Sequence, residues 1–388
     1  MARNVSKNNK SNLRVVKGTK KRKYSFLFGL ASVAVVLAVV LILHLSTPTG
    51  IYEQFQNAYA LTVDTDDNSM IDPNAIVTSF EGKGNAAFLL TNTYFEIFND
   101  SGYNVLYFKH GFANPYMDVA ESRILIFDRG GKKYKVFNYS TILYEGGTNN
   151  GIISADIARN GKIAFITSSD AYASELKVLD KNNKELFTWN SNNLLSAVSF
   201  NKSASLVAVS SVFSESGVLS SKIDVVDGGN GNTKFTLDFY GEVISSIIEY
   251  SGKIIAASEN KFYVINWKNG EYTTFETDGI ISFLYVDDAN RLVLVYSRED
   301  MQTYNNVITY SNKFKQISSF VINSVLYDVI SDKNYIYFVY DNKMCIYNSS
   351  GVLIDTITHE ANIQRIAFVG NKILACGTSK VSVLKESR

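Results

Sequence analysis

Three histidines and two cysteines are all the imidazole and thiol chemistry this chain of 388 residues can offer. His44 lies inside a long apolar run, which leaves His110 and His359, far apart in sequence. A hydrolytic triad needs its histidine oriented by a third group. No G-x-S-x-G elbow is present to supply the nucleophile. Cys345 and Cys376 sit in apolar segments, Met344-Cys345-Ile346 and Leu374-Ala375-Cys376. They read as buried small hydrophobes, with a disulfide as the alternative. Neither they nor the histidines have zinc-ligand spacing. Asp64-Thr-Asp66-Asp67-Asn68 resembles the start of a calcium loop, but Ser69 and Ala75 stand where a glycine and a glutamate are required, so it reads as a solvated linker. Gly82-Lys83-Gly84 is a turn and not a phosphate loop. The sequence therefore predicts no catalytic residue, no metal and no cofactor.

Charge and hydropathy set the elements that would carry any site. The first 23 residues hold nine of the 38 basic residues and none of the 37 acidic ones. The rest is mildly acidic, which argues against nucleic acid as a partner, because phosphate binding needs clustered positive charge. Residues 24–46, YSFLFGLASVAVVLAVVLILHLS, contain no Lys, Arg, Asp or Glu. About 20 such residues cross a bilayer as a helix. The basic block on one side predicts a cytoplasmic tail at 1–23, a single transmembrane helix at 24–46 and an extracytoplasmic remainder. Ala58-Tyr59-Ala60 has the form of a signal-peptidase site, but it lies well past the apolar run, so an uncleaved anchor is the expectation.

Beyond residue 70, short runs of Val, Ile, Leu, Phe and Tyr alternate with Asn, Asp, Gly and Ser, as strands alternate with turns. The pattern repeats. The end of the third strand in each unit falls at Asn99, Asn138, Asp180, Asp227, Asn266, Ser311 and Asn348, and one further step reaches Lys385. The spacing averages about 41 residues, the period of a four-stranded propeller blade. This predicts an all-β, eight-bladed β-propeller, with seven blades as the alternative count. The last unit runs out after three strands. Residues 58–63 (AYALTV) are expected to supply the missing fourth strand, leaving 47–57 as a short linker and 58–388 as the propeller.

The openings of several units, such as Ile153-Ser-Ala-Asp-Ile-Ala-Arg-Asn-Gly-Lys-Ile-Ala-Phe165 and Leu195-Ser-Ala-Val-Ser-Phe200, resemble WD40-like bacterial repeats, although no Gly-His or Trp-Asp dipeptide signature accompanies them. The closings, such as Tyr263-Val-Ile-Asn-Trp-Lys-Asn-Gly-Glu271, resemble the repeats of quinoprotein-like (PQQ-like) propellers. Over its whole length the layout is similar to an uncharacterised, DUF5711-like family of membrane-anchored bacterial propellers. That resemblance implies a fold and carries no functional residues. The quinoprotein likeness implies an alternative function, a membrane-bound oxidoreductase. Cofactor-holding members use repeated Trp motifs, whereas this chain has only Trp189 and Trp267.

Connection length points to a binding face. The long connections are 109–116 between the first two blades, and 168–174, 210–221 and 297–306 between second and third strands. Both connection types open on the same end of a propeller. They carry His110, Phe112, Tyr116, Tyr172, Phe213, Glu215, Arg298 and Tyr304. Aromatic and Arg side chains of this kind anchor interfaces. The expected function is a non-enzymatic binding or scaffold module, tethered to the cytoplasmic membrane and engaging a protein or cell-envelope polymer through that face.

Overall fold

The computed structural model describes residues 21–46, 51–62, 70–286, 291–298, 300, 303–332, 334–358 and 362–386. The tail up to residue 20, the acidic run 64–68 and His359 lie outside the described residues. The chain divides into two units, residues 1–51 and 52–388. In the first, helix α1 spans Lys21–Ser46 and its side chains are exposed from Leu27 to Leu41. Among the described residues no helix is long and apolar enough to cross a membrane.

The second unit holds eight antiparallel sheets, at 77–109, 115–147, 152–191, 194–239, 246–276, 280–323, 328–358 and 363–386. Among the described residues seven have four strands and the eighth has three, each in sequence order. The count is eight blades, not seven. Their second strands are buried on both faces, as in Ala86–Thr91 and Ile163–Ser168, where only Ser168 is exposed. A strand sandwiched between neighbouring blades must be apolar throughout, and each fully buried Leu, Ile or Phe contributes roughly 1.5–3 kcal/mol. Fourth strands alternate, as in Thr233–Phe239, because one face meets solvent.

The repeat seen in sequence has a local cause. The residue ending each third strand accepts backbone N–H bonds from the turn that follows. Asn99 Oδ1 takes them from Ser101 and Tyr103, Asn138 from Ser140 and Thr141, and Asp180 from Asn182 and Lys184. Asp227, Asn266 and Asn348 do the same, and Ser311 Oγ accepts from Lys315. A short polar side chain that mimics the backbone is what this turn requires.

The ring closes through its inner strands. Gly370 N–H donates to Gly84 O at 2.6 Å. A side chain at Gly82 would collide with the Phe368 carbonyl, so only glycine allows blade 1 to meet blade 8 this closely. The expected closing strand at 58–63 is not found. Helix α2 spans Ile51–Ala60, with a turn at Leu61 and Thr62, and Val63 lies outside the described residues. The pairing with blade 8 comes later in the chain, where Met70 bridges Lys380 and Ile71 N–H donates to Ser379 O at 2.8 Å. The linker expected at 47–57 is helical from residue 51. Cys345 and Cys376 are free and buried, in the cores between blades 6 and 7 and between blades 8 and 1 respectively, which removes the disulfide alternative.

Candidate functional site

The predicted loop face divides into buried and exposed residues. His110 is 5% exposed and holds the turn between blades 1 and 2. Phe112 N–H donates to its Nδ1 at 3.0 Å, so the ring proton sits on Nε2, 3.0 Å from Thr91 O. Burial lowers its pKa, in keeping with a neutral ring. Phe112 is itself buried in the core shared by blades 1 and 2. Both residues are structural and leave the proposed surface.

The other six stay at or near solvent but do not converge. Tyr116 is exposed on blade 2, its hydroxyl accepting from Arg129 at 2.9 Å and its ring 4.9 Å from that guanidinium. Tyr172 is exposed on blade 3. On blade 6, Arg298 pairs with Asp300 at 3.5 Å in a shallow depression shared with Glu259, Thr277 and Asp278, and Tyr304 begins the third strand. Phe213 and Glu215 belong to blade 4.

Blade 4 holds the main departure from expectation. The segment 210–221 is no loop. Strands Leu206–Glu215 and Val218–Asp227 are each ten residues long and run as one ladder to the pair Glu215 and Val218. The turn, Ser216-Gly217, has φ of 52° and 82°, the sign that a two-residue hairpin loop demands. Phe213 lies 6.3 Å from the Tyr240 ring, and Lys222 Nζ is 5.7 Å from the centre of the Phe213 ring. Val218, Leu219, Tyr240 and Val243 are exposed at or beside this hairpin, Val218 on the face of Phe213 and Leu219, which pairs with Ser214, on the other face. An apolar group on a projecting hairpin has no folding role to explain it. Sequence reasoning missed these four residues. The signal was a Ser-Gly pair between two β-rich runs.

A second feature lines the central channel. Asp118, Asp156 and Asp328, each on a first strand, accept backbone N–H bonds from the next blade, from Ile157 at 2.6 Å, Phe200 at 2.9 Å and Ile366 at 2.8 Å. Burial raises Asp118 and Asp328 to about 6 and raises Asp156 as well. Glu81 is exposed within the cavity that the inner strands enclose, where desolvation by the surrounding protein and the nearby Asp118 and Asp328 raise it to about 7. The three aspartates seam blade to blade, whereas Glu81 accepts from Ser79 on its own strand. The sequence carries the recurrence as an Asp followed by Val or Ile, at 118, 156 and 328. A cavity of about 980 Å³ opens beside them, lined by Glu81, Lys83, Tyr285, Asp328, Ser331 and Asp332. Among the described residues no group of three or more His, Cys, Asp or Glu could hold a metal. Trp189 and Trp267 pack in different inter-blade cores.

A third feature is the seat of α2. Glu53 forms a two-point ion pair with Arg123, with Nη2 to Oε2 at 3.0 Å and side chains 14% and 11% exposed. Tyr139 N–H donates to Asn57 Oδ1 at 3.2 Å. Asn138 Nδ2 donates to Glu53 at 3.5 Å, and Asn99 Nδ2 donates to Leu61 O at 3.3 Å. The two asparagines thus cap their own turns with oxygen and grip the α2 segment with nitrogen. These contacts lie at the end of the strands bearing the first-to-second and third-to-fourth turns, opposite the blade 4 hairpin tip.

No curated protein matches this sequence. Solved structures match the fold. The computationally designed Ika8 protein is 12% identical, with a TM-score of 0.61 over 80% of this chain and 96% of its own. Sqt1 of Saccharomyces cerevisiae is 12% identical, with a TM-score of 0.59 over 84% of this chain and 100% of its own. BamB from Moraxella catarrhalis is 12% identical, with a TM-score of 0.51 over 82% of this chain and 99% of its own. At such identities the likeness is one of architecture alone. The match that reaches the sequence itself covers residues 68–385, and by it the chain belongs to DUF5711, a family of unknown function.

Proposed function

We propose that this protein is a non-enzymatic binding module, held at the outer face of the cytoplasmic membrane, that engages a protein partner through the blade 4 hairpin. The observation that carries the reading is the exposed apolar hairpin, with Val218 and Tyr240 on the Phe213 side, Leu219 on the other, and Val243 exposed three residues after Tyr240. Apolar and aromatic side chains presented on a rigid ladder anchor a partner at little cost in ordering entropy. Glu215 at the tip and Lys222 beside Phe213 supply a polar rim. The tether is supported by the charge-free run 24–46, the basic residues before it and the exposed apolar side chains of α1.

Photocrosslinking in the native envelope tests the reading. A photoreactive residue at Leu219 should capture a discrete protein that one at Leu353, on the exposed outer strand of blade 7, does not. Tyr240→Ala should abolish that adduct. Equal capture at both positions, or a glycan adduct at Leu219, would sink the protein-partner reading.

A further inference from the structure

We infer that α2 is an interfacial helix whose Phe55 and Tyr59 face lies in the headgroup region of a bilayer, so that the propeller rests on the membrane through the end of its strands that seats α2. The inference rests on the tether reading above.

Four observations carry it. First, α2 is docked with its polar side inward. Glu53 and Asn57, one helical turn apart, are spent on Arg123 and Tyr139. Second, the opposite side presents Phe55 and Tyr59, also one turn apart, 71% and 73% exposed. Outside α1, no other described large apolar side chain is as exposed. A Tyr and a Phe at such exposure suit an apolar surface edged by water, which is what a headgroup layer provides. Third, α2 contains no Lys or Arg, and its only acid is neutralised by Arg123, so no uncompensated charge opposes partial immersion. Fourth, α1 ends at Ser46 and α2 starts at Ile51. So short a connection reaches at most about 18 Å. In sequence, α2 is thus the first described element after the apolar run of residues 24–46. A consequence follows for the proposed partner surface: the hairpin tip of blade 4 projects away from the lipid, and the channel cavity opens toward it.

The test uses the full chain in vesicles of mixed phosphatidylcholine and phosphatidylglycerol with brominated acyl chains. Phe55→Trp, Tyr59→Trp and the control Leu353→Trp are compared with the wild type, which carries the signal of Trp189 and Trp267. The added emission of the two α2 variants should fall roughly twofold in brominated lipid, while that of the control stays unchanged. Alkaline carbonate extraction separates the two ideas. Protein that stays with the vesicles while both α2 variants are quenched no more than the control overturns the interfacial helix and leaves the tether standing. Protein released to the supernatant overturns both. Disulfide-linked dimers through Phe55→Cys, without quenching, would assign the face to a second copy and also overturn the proposal.

Discussion

The molecule exposes apolar side chains at two opposite ends, and it holds them there by different means. The blade 4 hairpin is an extension of a backbone ladder that runs unbroken from Leu206 and Asp227 to Glu215 and Val218. Its exposed tip side chains take no part in the ladder's backbone pairing. The α2 helix is a separate piece fastened by a few polar side chains on Glu53, Asn57, Asn99, Arg123 and Asn138. A ladder spreads its load over many weak bonds, whereas this clamp relies on an ion pair and a few side-chain hydrogen bonds. The first arrangement tolerates change in the residues it displays. The second should be loosened by a single substitution at the ion pair.

The largest effect should come from Glu53→Ala. It strands the Arg123 guanidinium in a largely buried position and should cost about 3 kcal/mol of docking free energy. Hydrogen exchange should then quicken across residues 53–60 while the blade 4 ladder stays protected. Equal protection in the variant would mean that the clamp is not what seats the helix.

A pH dependence sharpens the contrast. Glu96 lies on the third strand of blade 1, the strand that ends at Asn99. It is 3% exposed, its Oε1 accepts from Asn104 at 2.6 Å, and its Oε2 has no partner. Burial raises it from 4.5 to about 8. The folded state therefore holds this proton more tightly than the unfolded chain does, so stability present below 4.5 is lost as pH rises toward about 8. Asp224 in blade 4 is also raised by burial, so a titration of the wild type alone does not separate the two regions. Glu96→Gln does, and thermal unfolding of that variant should lose slope across the window; an unchanged slope would assign the dependence elsewhere.

A smaller loss is expected from Asn138→Asp. The oxygen that caps the turn remains, but the donor to Glu53 is gone and a like charge faces it, a change of about 1–2 kcal/mol. Asp180 and Asp227 cap the same turn in blades 3 and 4, so the fold should survive with only α2 loosened. The smallest change in stability should be at Leu219→Ser, within about 0.5 kcal/mol by denaturant unfolding, although the Leu219 surface is the one expected to lose its partner.

The blades were legible because each carries its own instructions. Asn99, Asn138 and Asp180 mark turns made by residues two to four positions away, and a local bond leaves a local trace. The α2 helix was not legible. Residues 58–63 alternate well enough to pass for a strand, and what decides against it is Arg123, some 70 residues from Glu53. The candidate surface shows the same division. Sequence placed aromatic residues in long connections, but only packing shows that Phe112 points into the core. The Asp seam was half visible. Its recurrence is visible in the sequence, while the acceptor role of Asp118, Asp156 and Asp328 depends on contact between blades.

The glycine at position 82 has a consequence in time as well as in space. Its partner across the seam, Phe368, belongs to the last blade of the array. Blade 1 is synthesised first, but its inner strand must wait until blade 8, the last, is made for the neighbour that covers it. Closure is thus the contact of greatest sequence separation and should be the slow step of refolding. Until it happens the nascent ring presents two apolar flanks, and these are the surfaces that a chaperone would have to shield.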